Sequence, residues 1–170
     1  MKVLTGLLIT GAVVALGASV IALKRASEKI AVQVSSRVHK LTTQGVVVVL
    51  GFNLKNPTRA ALKMAIPLIT VKYGNTELAQ SSLSNVDVPP EILTSEGHIR
   101  IDKFKETGMI YTEVTLPYFS LLTAGFDLVK KLKGRLKGEG NKIQFDVAIS
   151  SQTFTSVGSY AYDDNQTILV

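Results

Sequence analysis

The stretch GVVVVLGFNLKNPTRAALKMAIPLITVKY, residues 45–73, decides the fold class of this chain. Its first half places apolar side chains at every second position: Val46, Val48, Leu50, Phe52 and Leu54. Its second half repeats the pattern with Leu62, Met64, Ile66 and Leu68. Alternation of this length predicts half-buried antiparallel strands. Asn56-Pro57 separates them, because proline has no N–H and keeps the residue before it extended. Pro67 fits an edge or a bulge of the second strand.

The same alternation recurs on both sides of this stretch. Further strands are predicted at Ile30–Val34, around 77–79 after a Gly74-Asn75 turn, and in 98–104, 109–119 and 142–150. In the last of these, the inward positions are Ile143, Phe145, Val147 and Ile149. One helix is predicted from an apolar stripe with helical spacing: Phe119, Leu122, Phe126, Val129 and Leu132. Gly134 and Gly138 are placed at its end. The pattern is that of a mainly β protein, an antiparallel sandwich of about seven strands with one short helix.

The chain begins with a different pattern. Val3–Leu23 contains 21 residues without a charge, which is long enough for a transmembrane helix. A cleaved secretory signal is the alternative, and Lys24-Arg25 after the run favours a retained anchor. We therefore divide the chain into an N-terminal anchor helix (1–25), a sandwich (26–158) and a C-terminal tail (159–170). Gly11, Ala15 and Ser19 form a small-residue face through which this helix could form an oligomer.

The location that follows is a single-pass, membrane-associated protein. Lys24, Arg25 and Lys29 outweigh Lys2, which favours a cytoplasmic domain, but the margin is small and the side of the membrane stays open. The chain has no cysteine, so disulfides and thiolate metal sites are excluded while the compartment is not determined.

The net charge of +6 is concentrated in one segment. KKLKGRLKG supplies Lys130, Lys131, Lys133, Arg135 and Lys137. These side chains are candidates for contact with an anionic lipid surface, at about 1 kcal/mol for each cation. The alternative is a solvated helix end whose cations offset the helix dipole. Nucleic acid is an unlikely partner, because no basic run is interleaved with aromatic residues.

No constellation of residues indicates catalysis, a metal or a cofactor. His39 and His98 are far apart and have no neighbouring ligand residue, so they are interpreted as surface or strand-edge residues. Gly138–Lys142 lacks the spacing of a phosphate-binding loop. Asp163-Asp164-Asn165 lacks the glycine and glutamate of a calcium loop. We expect a protein that is not an enzyme.

The central motifs resemble those of the late embryogenesis abundant type 2 domain, also called the water stress and hypersensitive response (WHy) domain. The resemblance rests on a strand ending in Asn56-Pro57, a second strand, Tyr73-Gly74 at the next turn and the small residues of 79–82. It covers residues 30–156, in which the later strand, the helix and the last strand follow the family's order. The helix region departs from the family in being long and basic, and the stretch 160–170 has no counterpart. The resemblance implies an immunoglobulin- or fibronectin-like sandwich, no catalytic residues, and roles in stress tolerance, membrane-tethered domains or lipid contact.

Three functions are therefore expected from the sequence. The first is a non-enzymatic, membrane-tethered module with a binding, protective or structural role. The second is a structural subunit of a large assembly such as a virion or envelope complex, in which the N-terminal helix contacts other subunits. The third is a carrier that holds lipid or another apolar ligand within the sandwich.

Overall fold

The structure is a computed structural model that describes residues 29–138, 142–156 and 158–170. Two α-helices are present in this part of the chain, α1 (Tyr118–Ala124) and α2 (Phe126–Leu136), and a 3-10 turn covers Leu83–Asn85. The strands are β1 (Ala31–Leu41), β2 (Gly45–Lys55), β3 (Leu62–Met64), β4 (Leu68–Tyr73), β5 (Thr76–Gln80), β6 (Val86–Asp87), β7 (Ile99–Ile101), β8 (Ile110–Pro117), β9 (Gln144–Thr155) and β10 (Gly158–Leu169).

The strands form two antiparallel sheets. The first has the order β1-β2-β8-β6, and the second has the order β5-β4-β9-β3-β7, with β10 on the other edge of β9. The inner faces of the two sheets share one core with the helices, which contribute Leu121, Leu128 and Leu132. The predicted antiparallel sandwich is confirmed. The described residues form ten strands rather than the seven predicted, because β6 and β10 were not predicted as strands and the strand predicted from Leu62 to Leu68 is divided into β3 and β4. A strand of two residues such as β6 is too short to show periodicity.

Alternation predicted the buried faces of the long strands correctly. Every predicted inward position of β2 and β9 is buried, as are Ile110, Thr112, Val114 and Leu116 of β8. In β2 the opposite face is buried too, because neighbouring side chains cover Val47 and Val49. This strand therefore lies at the centre of its sheet, between β1 and β8.

The second half of the opening stretch differs from the prediction. It forms two strands that pair in turn with the same edge of β9, and Pro67 lies between them. From the pair Met64↔Thr153 to the pair Leu68↔Ser150, this stretch advances four residues while β9 advances three. The extra residue is a bulge that reverses the faces of everything after it. Consequently Ile69 and Val71 are buried, whereas Leu68 is only partly buried.

The predicted single helix is two helices, and of the predicted stripe only Leu132 is buried and Val129 partly buried. Gly125 separates α1 from α2 with φ +126° and ψ 141°, a conformation that ends the first helix. Leu121, Leu128 and Leu132 face the core, while Phe119 and Phe126 are exposed. Gly134 lies within α2 rather than at its end, and Gly138 follows the helix with φ +77°.

The stretch predicted as a C-terminal tail belongs to the sandwich. β10 pairs with β9 from Gly158↔Thr155 to Leu169↔Gln144. Its inward side chains Tyr162 and Ile168 are buried, and so is Val170 just beyond it. Residues 163–167 are all polar, so periodicity does not indicate a strand here. The strand is stabilised by pairing with β9 rather than by its own hydrophobicity.

The two ends of the sandwich carry different features. Ala31 pairs with Lys55, so β1 begins at the end that holds Asn56 and the 102–107 loop. At the other end the β1–β2 turn contacts the start of α1, where the Tyr118 hydroxyl donates to the Thr42 carbonyl at 3.1 Å. An eleven-residue strand spans about 35 Å at roughly 3.3 Å per residue.

The predicted anchor, Val3–Leu23, lies outside the described residues. Within the part of the chain that the structure describes, no helix is long and apolar enough to cross a membrane.

Candidate interaction surfaces

Asn56 is a structural residue that ties two loops together. Its side chain is fully buried, and its Nδ2 donates to the carbonyls of Ala60, Ile101 and Asp102 at 2.7, 3.3 and 3.2 Å. Its Oδ1 accepts bonds from the Thr58 N–H at 3.0 Å and from the Thr58 hydroxyl at 2.7 Å. All its polar capacity is used inside the protein, so it offers nothing to a ligand.

The other residues of the predicted motif lie elsewhere. Tyr73 ends β4 and contacts Phe145 edge-to-face, with the ring centroids 5.9 Å apart. Gly74 occupies the β4–β5 turn with φ +56°, where a side chain would be strained. Pro57 is exposed beside Asn56. The motif is therefore a set of two separate turns, and the structure does not assemble it into one site.

A shallow groove crosses the outer face of the first sheet. Its floor is Gly51, where an added Cβ would lie 2.6 Å from the Met109 methyl and 2.8 Å from Ser35 Oγ. A cavity of about 290 Å³ beside it is lined partly by Arg37, His39 and Tyr111. His39 Nε2 lies 3.9 Å from Glu113 Oε1. The side chains here are of mixed charge and largely exposed, which does not define a ligand class.

A second concavity, of about 490 Å³, lies on the outer face of the second sheet. The His98 ring stacks on Phe154 with the centroids 4.3 Å apart. Glu96 contacts Lys63 Nζ at 2.9 Å and His98 Nδ1 at 3.4 Å. The bond from Lys63 and its charge hold the pKa of the Glu96 carboxyl below its ordinary value, and His98 adds to this. The ionic groups of this concavity are therefore largely paired with one another.

Four of the five predicted surface cations are on α2, and Lys137 follows its last residue. Lys130, Lys131, Lys133 and Lys137 are exposed and Arg135 is partly buried. None of them lies within 4 Å of a carboxylate in the described part of the chain, where the ion pairs involve other residues. The cluster therefore presents its charge to solvent.

Three exposed apolar side chains of the two helices were missed as surface residues. Phe119 is 82% exposed, Phe126 73% and Leu122 43%. The sequence assigned them to the core because they share helical spacing with Leu132. A second series, Leu121, Leu128 and Leu132, has helical spacing too, and the structure buries that one. For Phe126 the sequence did contain a signal of exposure. Its spacing to Lys130, Lys133 and Lys137 puts all four residues on one face of a continuous helix.

The remaining candidate motif, Asp163-Asp164-Asn165, lies within β10. Asp163 Oδ1 accepts a bond from the Ser150 hydroxyl at 2.6 Å, and Asp164 Oδ2 accepts one from the Gln166 amide at 2.7 Å. An extended strand sends consecutive side chains to opposite faces, so these carboxylates do not converge. Among the described residues, no group of three metal-ligating side chains is close enough to hold an ion.

Comparisons with known proteins connect the fold to solved structures. No family model and no curated protein matches the chain by sequence. The structure is similar to the solution structure of AT1g01470 from Arabidopsis thaliana, a late embryogenesis abundant type 2 (WHy) domain protein. That match has a TM-score of 0.54 and 12% identity, and covers 84% of this chain and 81% of the other. A crystal structure of a protein from Archaeoglobus fulgidus aligns with a TM-score of 0.49 and 12% identity, over 82% and 94% of the two chains.

The fold is therefore an antiparallel β-sandwich similar to that of a late embryogenesis abundant type 2 domain protein. The predicted resemblance to this domain is confirmed at the level of fold, since the match to the Arabidopsis protein extends over most of the chain. At 12% identity the match establishes the architecture and transfers no residue role.

Proposed function

We propose that this chain is a non-enzymatic protective module held at a membrane by its N-terminal segment. The observation that carries the proposal is the run of 21 uncharged residues, Val3–Leu23, placed a few residues before the first strand of a type 2 sandwich. Such a run matches the thickness of a hydrocarbon core of about 30 Å. In the described sandwich, the motif residue Asn56 serves the fold rather than a reaction.

Alkaline extraction of membranes tests the tether. The full chain is expected to stay in the membrane pellet and to be released only by detergent. A Val13→Asp, Leu16→Asp double variant is expected to be released, because each charge near the centre of a spanning helix costs roughly 2.5–3.5 kcal/mol. Val13→Leu with Leu16→Val is the matched control and should behave like the wild type. Release of the wild type by alkali alone would refute the tether.

Dehydration of vesicles tests the protective role. Vesicles carrying the reconstituted full chain are expected to keep a trapped dye through drying and rehydration better than vesicles carrying an unrelated single-pass protein at the same molar ratio. Equal leakage would contradict protection.

Purification of the native protein distinguishes the other two functions, the assembly subunit and the lipid carrier. Recovery only within a high-mass particle supports an assembly subunit. Lipid that co-purifies with the domain in the absence of detergent supports a carrier.

A further inference from the structure

The outer surface of the two helices combines features that rarely occur together on a solvated surface. Leu121, Leu128 and Leu132 are the residues with which the helices pack against the core. Phe119 and Phe126 do not take part in this packing and are 82% and 73% exposed. Phenylalanine gains free energy on leaving water, and an exposed cluster of such side chains often marks an interaction site. Phe126 shares one face of α2 with Lys130 and Lys133, and Phe119 and Leu122 are exposed on α1, the helix that precedes it. We call Phe119, Leu122, Phe126, Lys130, Lys133 and Lys137 the helical face.

The charges of the helical face restrict its partner. Lys130 and Lys133 follow Phe126 at intervals of four and three residues, so they project from α2 on the same side as Phe126, and Lys137 comes directly after the helix. Their ammonium groups have no carboxylate within 4 Å in the described residues, and Asp127 is the one acidic residue of the first turn of α2. The partner must therefore accept apolar side chains and carry negative charge at its surface.

An anionic bilayer has both properties. Aromatic and leucine side chains bury at the boundary between headgroups and acyl chains, while lysines stay at the level of the lipid phosphates. We propose that the helical face inserts into an anionic lipid surface and gives the domain a second membrane contact. The start of α1, next to Phe119, lies at the end of the sandwich opposite to the start of β1, about 35 Å along the strand direction. This proposal rests on the proposed function in one respect: the N-terminal tether would bring the domain to the membrane.

Tryptophan substitution tests the insertion directly, because the chain contains no tryptophan. Full-length Phe119→Trp and Phe126→Trp are reconstituted into vesicles of phosphatidylcholine with phosphatidylserine, and into phosphatidylcholine alone. With phosphatidylserine, the emission is expected to shift to the blue and to be quenched by brominated lipid. Both effects should be weak in phosphatidylcholine alone.

Phe104→Trp is the matched control. Phe104 is also a phenylalanine, 63% exposed, and it lies in the loop beside Asn56 where β1 begins. Simple tethering would bring Phe104 closer to the bilayer than Phe119. Equal or stronger quenching at Phe104 would overturn the proposal. Flotation of the same vesicles measures separately whether the chain is bound to the membrane. If the chain floats but the tryptophans at positions 119 and 126 are not quenched, the insertion of the helical face is refuted and the tether is not. If the chain does not float, the proposed tether is refuted. The tryptophan emission measured after vesicles are added to the protein then still tests whether the helical face binds lipid.

Charge removal gives a second test. Lys130→Gln, Lys133→Gln and Lys137→Gln together are expected to weaken the quenching-derived partition by about 150-fold, because a loss of about 1 kcal/mol for each cation is roughly fivefold. The control triple, Lys55→Gln, Lys103→Gln and Lys105→Gln, removes the same charge from exposed residues at the other end. If the control triple weakens partition as much, the effect is one of net charge and the helical face is refuted.

Discussion

At the scale of single residues, Asn56 shows how a motif residue acts through the fold. The sequence marks Asn56-Pro57 as the end of a strand, and β2 does end at Lys55. The structure adds the reason for asparagine. Its amide donates to three carbonyls from two different loops, while its oxygen accepts from Thr58. A buried amide with both ends satisfied fixes the position of the 101–102 segment relative to the end of β2.

Asn56→Ala is expected to lower the free energy of unfolding by about 3 kcal/mol, because buried carbonyls lose their donor. Asn56→Asp keeps the acceptor for Thr58 but removes the donor and buries a charge, so at neutral pH it should be at least as damaging. Asn85→Ala is the control, since Asn85 is exposed, and it should change stability by less than about 0.5 kcal/mol. Urea denaturation measures all three, and a neutral Asn56→Ala would contradict this role.

Tyr162 makes stability depend on pH in alkaline solution. Burial of its hydroxyl, followed by the negative charge of Asp164, raises the pKa of Tyr162 from 10.0 to about 12. The folded state therefore keeps the proton that the unfolded state loses, so the stabilisation is complete below pH 10 and is lost as pH rises toward 12. Over this interval the stability of the wild type relative to Tyr162→Phe should fall by up to about 3 kcal/mol.

Two measurements check the Tyr162 prediction. Denaturation of both proteins at several alkaline pH values gives the difference in stability. Absorbance titration of the wild type, minus that of Tyr162→Phe, should give a phenolate transition centred near pH 12. A difference curve centred at 10 would show that this hydroxyl is not desolvated.

At the scale of elements, the sequence predicts the structural features that depend on neighbouring residues, such as the buried face of a strand. It does not predict features that are determined by residues far away in the chain. The faces of β2, β8 and β9 follow from alternation because each strand is regular. The bulge before Pro67 could not be predicted, since its register is set by β9, which lies about eighty positions further along the chain. The helical stripe was ambiguous for a similar reason. Two leucine- and phenylalanine-containing series share helical spacing, and only the shape of the sandwich selects the buried one.

The break between the helices gives two glycine substitutions of opposite sign. Gly125→Ala should destabilise the protein by roughly 1–3 kcal/mol, because φ +126° with ψ 141° is strained for any side chain. Gly134 lies inside α2 without a positive φ, so Gly134→Ala should stabilise it by up to about 1 kcal/mol through helix propensity. Thermal denaturation followed by circular dichroism compares them. Equal effects of the two substitutions would contradict the assigned break.

At the scale of the whole molecule, the sandwich is completed by the last residues of the sequence. β10 covers the outer edge of β9 along its full length, and Ser36 Oγ approaches the Leu169 carbonyl at 3.4 Å, which brings β10 next to β1. β10 is itself an edge strand of the second sheet, and it carries Asp163 and Asp164. Charged side chains on an edge strand oppose pairing with other chains.

Two neighbouring substitutions test whether β10 is part of the core. Ile168→Ala should cost about 2–4 kcal/mol, because Ile168 is 5% exposed and its removal leaves a cavity. Leu169→Ala deletes a similar side chain that is 55% exposed, so it should cost less than about 1 kcal/mol. Urea midpoints provide the comparison. Near-equal losses would mean that this segment does not dock as a strand.

The pairing of β1 with β2, and of β2 with β8, also determines how the domain would resist pulling. Tension between the N-terminus and α1 enters at Ala31 and leaves at Pro117, at opposite ends of the same three-stranded ladder. The interstrand hydrogen bonds lie across the strands, so this force shears many of them together instead of opening them one at a time. A domain held at both ends would therefore act as a mechanically stiff spacer.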